Sequence, residues 1–177
     1  MASDVTIRHV LPEDLPQVSA LHARVFGPGR FVRTAYRIRE GTPLASPYCR
    51  KALIEGQLVG AIRYTAVRIG GEPGALLLGP LAVEPALAGQ GCGRRLIAES
   101  LDAARAAGIR IVALVGDLPY YGRFGFVRIP PGHMRLPGPV DPDRLLAVEL
   151  TPGALRELAG LIAADRAPQG DGIANAA

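Results

Sequence analysis

Apolar residues recur along the chain at two spacings, one typical of strands and the other of helices. Val5 and Ile7 alternate with polar residues and predict a short first strand. Pro12-Glu13-Asp14 predicts the start of a helix, because proline and acidic residues both favour the first turn. Apolar residues follow at helical spacing: Leu15, Val18, Leu21 and Val25. Gly27-Pro28-Gly29 ends this first helix.

Three strands are predicted in the middle of the chain, after a second helical piece from about Arg30 to Arg39. Residues Cys49 to Ile54 and Leu58 to Ile69 form two apolar runs separated by Glu55-Gly56-Gln57, which is a hairpin signal. The third run ends at Val83 and contains Gly79-Pro80. Because proline cannot donate to a strand ladder, Gly79-Pro80 predicts a bulge or an edge, or a local kink that serves packing.

A helix, two strands and a final helix are predicted in the second half. The earlier of these two helices, which follows the third strand, has one apolar face made of Leu96, Ile97, Leu101 and Ala104. Gly108 ends it, and Ile109 to Val115 and Leu145 to Leu150 are the predicted strands. Thr151-Pro152 predicts the last helix start. The apolar face of that last helix is Leu155, Leu158, Leu161 and Ile162.

Alternating helices and strands with a meander predict an α/β protein, in which helices cover a mixed sheet. The length of 177 residues and the 49% hydrophobic content suit one domain with a real core. We assign this domain to residues 1–166. Residues 167–177 consist largely of alanine, glycine and polar residues, and we expect a disordered tail there.

A glycine loop stands between the third strand and the long helix, with the sequence Ala88-Gly89-Gln90-Gly91-Cys92-Gly93. Glycines let the backbone approach a ligand closely, and a helix start offers unpaired N–H groups to phosphate-like anions. Arg94 and Arg95 add positive charge. This loop is not the dinucleotide-binding fingerprint, because the third glycine of that motif is missing. It is not a P-loop either, because it has no lysine. A plain glycine-rich connection is the structural alternative.

The strand, the loop and a later aromatic turn together resemble the GCN5-related N-acetyltransferases. That family has a strand, then a loop of the form Arg/Gln-x-x-Gly-x-Gly/Ala, then a helix, and further on Tyr-x-x-x-Gly-Phe. The turn Tyr121-Gly122-Arg123-Phe124-Gly125-Phe126 is similar to the last motif. With Tyr120 before it, the turn looks like that of a bacterial subgroup of predicted acetyltransferases. Ala88 departs from the pattern, since the family has Arg or Gln there.

The resemblance implies the acyl-CoA N-acyltransferase fold, a central mixed sheet with splayed middle strands flanked by helices. It also implies acetyl-coenzyme A as the co-substrate and an amine as the acceptor, acetylated by direct attack. Gly79-Pro80 would be the bulge that splays the sheet. The residues expected to bind the coenzyme are Leu81, Ala82, Val83, Gly89, Gln90, Gly91, Cys92, Gly93 and Arg94. A backbone N–H near Val83 would stabilise the oxyanion.

By the same resemblance, Tyr121 is the general acid that protonates the departing thiolate, and Tyr120 is its nearest rival. The alternative for Tyr121 is an aromatic residue of the core. No side chain stands out as the base that deprotonates the amine. Glu84, Asp117 and Glu72 are candidates, and a water chain is the alternative.

Composition narrows the choice of partners and location. The net charge is +4, and all the positive side chains except Lys51 are arginines, which suit contacts with phosphates. No basic run is interleaved with aromatic residues, so we expect no nucleic-acid partner. No Cys/His cluster has metal-ligand spacing, no apolar run would span a bilayer, and no signal peptide is recognised. We therefore expect no metal, no membrane and a cytoplasmic location.

Two other functions stay open beside acetyl transfer from acetyl-coenzyme A to a small-molecule or peptide amine. One is coenzyme A binding without turnover, as a sensor or regulatory module, and the other is transfer of longer acyl chains. A homodimer is kept as an option for the assembly.

Overall fold

The computed structural model of the protein describes residues 4–29 and 34–166. The five α-helices in this part of the chain are α1 (Leu15–Phe26), α2 (Thr34–Arg39), α3 (Cys92–Ala106), α4 (Leu118–Tyr121) and α5 (Ala154–Glu157). The strands are β1 (Thr6–His9), β2 (Arg50–Ile54), β3 (Gln57–Ile69), β4 (Glu72–Val83), β5 (Ile111–Val115), β6 (Val127–Arg128), β7 (Met134–Arg135), β8 (Leu145–Glu149) and β9 (Gly160–Ala164).

The strands form a mixed sheet in the order β1-β2-β3-β4-β5-β8-β6. Neighbours in this order pair antiparallel, except that β4 and β5 are parallel. The parallel pair is joined through α3, as a strand-helix-strand unit requires. At the predicted hairpin, Glu55 and Gly56 both have positive φ, 50° and 79°, which is the backbone of a two-residue turn. The predicted α/β fold with a mixed sheet is confirmed.

The two faces of the sheet carry different helices. The apolar face of α3, predicted from Leu96, Ile97, Leu101 and Ala104, is buried against alternate sheet residues such as Tyr64 and Leu76. On the other face, Val18 and Leu21 of α1 pack with Ala61 and Ala82. Because side chains alternate across a strand, β4 therefore places Ala82 under α1 and its neighbours Leu81 and Val83 on the α3 side.

The predicted last helix is wrong. Only Ala154–Glu157 is helical, Leu158 is extended, and Leu161 and Ile162 lie in β9. The second half of β3 has an edge that β2 does not cover, and β9 pairs with it from Val67 to Ile69. Gly160 has φ 112° and crosses over Gly70. A Cβ on Gly70 would lie 2.1 Å from the Ala159 carbonyl oxygen, so the two backbones approach each other closely at this crossing. The backbone demand of an open strand edge thus overrides the helical spacing.

Two other expectations reach beyond the described residues. The second helix is described from Thr34 to Arg39, while positions 30–33 of its predicted range lie outside the described residues. The expected tail, residues 167–177, also lies outside them.

Candidate active site

The strands β4 and β5 separate in the middle of the sheet. Their pairing runs from Ala75 with Ile111 to Leu77 with Ala113, and both strands continue beyond it without pairing with each other. On its other side β4 stays paired with β3 as far as Val83. One backbone edge of β4 beyond Leu77 therefore faces an opening rather than a neighbouring strand.

A bulge in β4 lies at this opening. Ile62 pairs with Leu81 and Tyr64 pairs with Leu78, so β4 has one more residue than β3 between these two pairs. The extra length contains Gly79 and Pro80, joined by a cis peptide bond. The bulge expected from Gly79-Pro80 is thus present where β4 leaves β5.

The glycine loop leads from β4 into α3 with its backbone exposed. Gly89 and Gly91 have φ values of 79° and 89°, and a Cβ on either would meet nothing within 4 Å. Gly91 is the N-cap of α3, so the first N–H groups of the helix have no partner within it. Open space in front of unpaired N–H groups at a 15-residue helix is the arrangement that binds phosphates.

The loop residues expected to bind the coenzyme are not equivalent in the structure. Gln90 donates its N–H to the Leu87 carbonyl oxygen, 3.2 Å away, and its side-chain amide to the Ala86 carbonyl oxygen, also 3.2 Å away. Its backbone donor is therefore already bonded within the turn. Cys92 is buried, with Sγ 3.0 Å from where a Cβ on Gly60 would be, and burial raises the pKa of its thiol.

The two arginines after the loop also differ. Arg95 donates to the Val5 carbonyl oxygen and contacts the Glu99 carboxylate at 3.4 Å, so it fastens α3 to the start of β1. Arg94 is exposed in the first turn of α3. Burial raises the pKa of Tyr120, and the charges of Arg123 and then Arg94 oppose this shift, so Arg94 lies close enough to Tyr120 to influence it. Arg94 is thus the arginine positioned beside the loop opening.

Tyr120 and Tyr121 point to different parts of the site from the short helix α4. Their rings are perpendicular, with centroids 4.9 Å apart. The Tyr120 hydroxyl lies against the start of α3, 2.7 Å from where a Cβ on Gly93 would be. The Tyr121 ring lies on Gly116 after β5, where a Cβ would be 2.6 Å from Cε2. Side chains on consecutive residues thus reach the loop and the strand opening separately.

The environment of Tyr121 keeps its hydroxyl protonated. Burial, together with the nearby Tyr120 and the Asp117 carboxylate, raises the pKa of Tyr121 to about 12, although the charge of Arg144 opposes the shift. Phe126 packs edge-on against the same ring at a centroid distance of 5.7 Å. Tyr121 is therefore a neutral hydrogen-bond donor at physiological pH.

A cavity of about 530 Å³ opens between β4 and β5 on the face covered by α1 and α2. Tyr121 and Val115 line it on the β5 side, and Gly79, Pro80 and Leu81 line it on the β4 side. Three charged side chains that the sequence patterns did not identify also line it: Arg39, Asp141 and Arg144. Asp141 and Arg144 belong to one short segment that is about a hundred positions from Arg39, and only the fold brings that segment to Arg39.

None of the three carboxylates considered as the base lines the described wall of this cavity. Glu84 is paired with Arg24 at 2.5 Å, and Asp117 with Arg144 at 3.2 Å. Glu72 begins β4 at the end remote from the bulge. Among the described residues that line the cavity, the only carboxylate is that of exposed Asp141.

The described part of the chain contains no cluster of metal-ligating side chains. Within that same part, no helix is both long enough and apolar enough to cross a bilayer.

Comparison with known proteins identifies the class to which this fold and site belong. The sequence model of the Acetyltransferase (GNAT) family matches residues 15–126, which include α1, the bulged strand, the glycine loop and the aromatic turn. The chain belongs to this family, and its enzyme class is acyltransferase.

Among individual proteins, the chain is similar to the uncharacterized N-acetyltransferase YhbS of Escherichia coli K12. The two are 29% identical over 161 residues, which cover 88% of this chain and 93% of YhbS. The crystal structure of Escherichia coli YhbS in complex with CoA superposes with a TM-score of 0.79 at 28% identity, covering 93% of this chain and 92% of that one. A GNAT family acetyltransferase from Brucella melitensis in complex with acetyl-CoA gives a TM-score of 0.61 at 30% identity, covering 83% and 97%.

Proposed function

We propose that the chain transfers an acetyl group from acetyl-coenzyme A to an amine by direct attack of the amine on the thioester. One observation carries the proposal: the unpaired edge of β4 connects the glycine loop at one end with the Tyr121-lined cavity at the other. A coenzyme needs a phosphate site and a channel for its arm, and an acceptor needs a separate entrance. Two similar proteins bind CoA and acetyl-CoA in their crystals.

The coenzyme would lie along this edge. Its pyrophosphate would accept hydrogen bonds from the free N–H groups at Gly91 to Arg94, with the Arg94 side chain adding charge. Its pantetheine arm would pair with the backbone of Leu81, Ala82 and Val83, in place of the strand that β5 does not supply. The thioester would then reach the bulge, where the cavity begins.

The reaction needs one bond made, one broken and two proton movements. The amine nitrogen attacks the thioester carbonyl carbon, and the oxygen that becomes negative is stabilised by a backbone N–H of β4. The carbon–sulfur bond then breaks, the acetyl group stays on nitrogen, and the sulfur leaves as a thiolate. The thiolate takes a proton from an acid, and the new amide nitrogen gives one up.

We assign the acid to Tyr121, because it lines the cavity on the β5 side, opposite the bulge of β4. A pKa of about 12 keeps its proton in place until the thiolate forms. Burial disfavours a thiolate in the same site for the same reason, so the basicity of the leaving group rises with that of the tyrosine. Tyr120 contacts Gly93 instead, and we assign it to the wall of the coenzyme channel.

For the amine proton, we propose water as the immediate acceptor. The exposed Asp141 carboxylate at the cavity wall would take the proton from water and return it to solvent. An exposed group can exchange protons quickly.

A panel of small amines and short peptides with acetyl-coenzyme A, monitored by release of free thiol, tests the proposal. We expect turnover with at least one acceptor class. Tight coenzyme binding by calorimetry with no turnover on any acceptor would favour the non-catalytic binding module. The same assay with longer acyl-coenzyme A donors tests the third function, since a donor of four or more carbons that outpaces acetyl would contradict an acetyltransferase.

A further inference from the structure

Arg39 is a buried cation in the wall of the cavity. It is the last residue of α2, with 6% of its surface exposed. Nη2 lies 3.5 Å from the Leu78 carbonyl oxygen, at the limit of a hydrogen bond, and the buried Nε has no hydrogen-bond partner among the described residues. None of the carboxylates in the described part of the chain forms an ion pair with it. The described part of the chain therefore leaves most donors of this buried guanidinium without a partner.

Burying such a group costs free energy that the surrounding residues do little to recover. Burial and, to a smaller extent, the positive charge of Arg63 lower the pKa of Arg39 to about 10. The Tyr36 ring, 5.2 Å from the guanidinium carbon, offers partial compensation through its π face. Arg39 still carries its charge at neutral pH. Buried charges are normally paired, so the missing partner is expected from outside the chain.

The position of Arg39 indicates which outside partner this is. A Cβ on Gly79 would lie 3.0 Å from Nη2, so the guanidinium lies directly on the bulge of β4. It shares the cavity with Tyr121, whereas the glycine loop lies past the far end of β4 at Val83. An anion bound to Arg39 would therefore belong to the acceptor and not to the phosphates of the coenzyme.

We propose that Arg39 binds a carboxylate of the acceptor, so that the acceptor is a small molecule carrying an amine and a carboxylate close together, as in an amino acid. The inference rests on the proposed acetyl transfer and specifies its substrate class. A carboxylate fits the planar fork of a guanidinium and carries the single negative charge that one buried cation balances. A phosphate monoester would bring nearly two charges. Among the described residues that line the cavity, the other cation is the exposed Arg144, which is already paired with Asp117.

A purely structural role for Arg39 makes a different prediction. If the guanidinium only held the bulge through the Leu78 carbonyl oxygen, its loss would affect charged and neutral acceptors alike. If it binds the carboxylate, its loss would affect only acceptors that have one. The comparison of matched ligands separates the two roles even where a variant is somewhat destabilised.

The experiment uses the twenty amino acids and their carboxamides as matched probes. Their binding to the full chain with coenzyme A present is measured by calorimetry, and their acetylation by thiol release. We expect at least one amino acid to bind about tenfold or more tightly than its amide, as a charge-assisted contact implies. Arg39→Gln should remove this preference and leave amide binding unchanged, while Arg39→Lys should keep part of it.

Arg37→Gln is the control, because Arg37 is an exposed arginine of the same helix. It should leave the preference intact. Coenzyme binding by each variant reports folding, and Arg39→Lys replaces Arg39→Gln if the latter has lost it. No preference in the wild type, or a preference that survives Arg39→Gln, would overturn the inference. A preference for carboxylates without any thiol release would instead uphold Arg39 as an anion site and reject acetyl transfer.

Discussion

The ring of Tyr121 lies directly on Gly116, so closely that a Cβ on Gly116 would be 2.6 Å from Cε2. The backbone at this position suits any residue, because φ is not in the left-handed region. The requirement for glycine is therefore steric. It comes first from the tyrosine ring and then from Leu114, whose Cδ1 would be 2.9 Å from the same Cβ. Gly116 supports the ring and reacts with nothing, which makes it a positioning residue for the proposed acid.

Gly116→Ala should displace the Tyr121 ring and lower kcat by about tenfold or more, since an ångström of misplacement is costly in catalysis. Coenzyme affinity should change less than kcat, because the residue that contacts the glycine loop at Gly93 is Tyr120 and not Tyr121. Gly122→Ala is the control, because a Cβ there would lie 3.6 Å from Leu118 in an ordinary contact. Equal kcat in the two variants would mean that the position of the Tyr121 ring does not matter.

Gly91→Asp should weaken coenzyme binding because it places a negative charge in front of the first N–H groups of α3. Gly91→Asn has nearly the same shape and must adopt the same backbone, with φ 89°, so it reports the strain alone. The difference between the two variants should be about tenfold in Kd, the value of one charge at a helix terminus. Calorimetry with acetyl-coenzyme A measures it. Identical losses would show that phosphate does not bind at this loop.

Arg94→Gln should weaken coenzyme binding more than Arg95→Gln does. Arg94 is exposed beside the loop, whereas Arg95 already contacts the Val5 carbonyl oxygen and Glu99. We expect a loss of about three- to tenfold that shrinks as salt is raised, because an exposed charge is screened. The family has Arg or Gln where this chain has Ala88, and Arg94 would supply that missing contact. A larger effect of Arg95→Gln would contradict this assignment.

If Tyr121 is the acid, as proposed, the pH dependence of kcat should report the protonation of its hydroxyl. An acid is active while protonated, so its contribution is lost only as the pH rises through its pKa of about 12. If the acid were an ordinary tyrosine, with a pKa of about 10, kcat would already fall near pH 10. At saturating acceptor we expect no fall in kcat between about pH 8 and pH 10. A fall with a midpoint of about 10 or below that disappears in Tyr121→Phe would contradict the environment described for the hydroxyl.

The central part of the fold could be predicted from the sequence because its signals are local. The glycine loop, the apolar face of α3 and the hairpin at Glu55 each depend on neighbours within a few residues. The prediction of a helix over Leu161 and Ile162 was wrong because this segment pairs with the uncovered edge of β3, which is nearly a hundred positions away in the sequence. Local spacing carries no information about such an edge.

The same reasoning separates what could and could not be predicted for the site. The resemblance to the acetyltransferases pointed to the loop and to Tyr121 through short motifs. Arg39, Gly116 and Asp141 belong to no motif. Three-dimensional packing places Arg39 and Asp141 in one cavity wall with Tyr121, and places Gly116 under the Tyr121 ring. The roles assigned to the loop, the bulge and Tyr121 stay proposals, as do the single domain over residues 1–166 and the cytoplasmic location.

The most direct test of the account is the rate of thiol release by Tyr121→Phe compared with Tyr120→Phe, at saturating acceptor and with chemistry as the slow step. Phenylalanine keeps each ring and removes only the hydroxyl. Tyr121→Phe should lower kcat by about 10²–10⁴-fold while coenzyme affinity hardly moves, because the proton is needed only as the thioester breaks. Tyr120→Phe should retain most of kcat. Wild-type turnover in Tyr121→Phe, with or without a collapse in Tyr120→Phe, would contradict the assignment of Tyr121 as the acid.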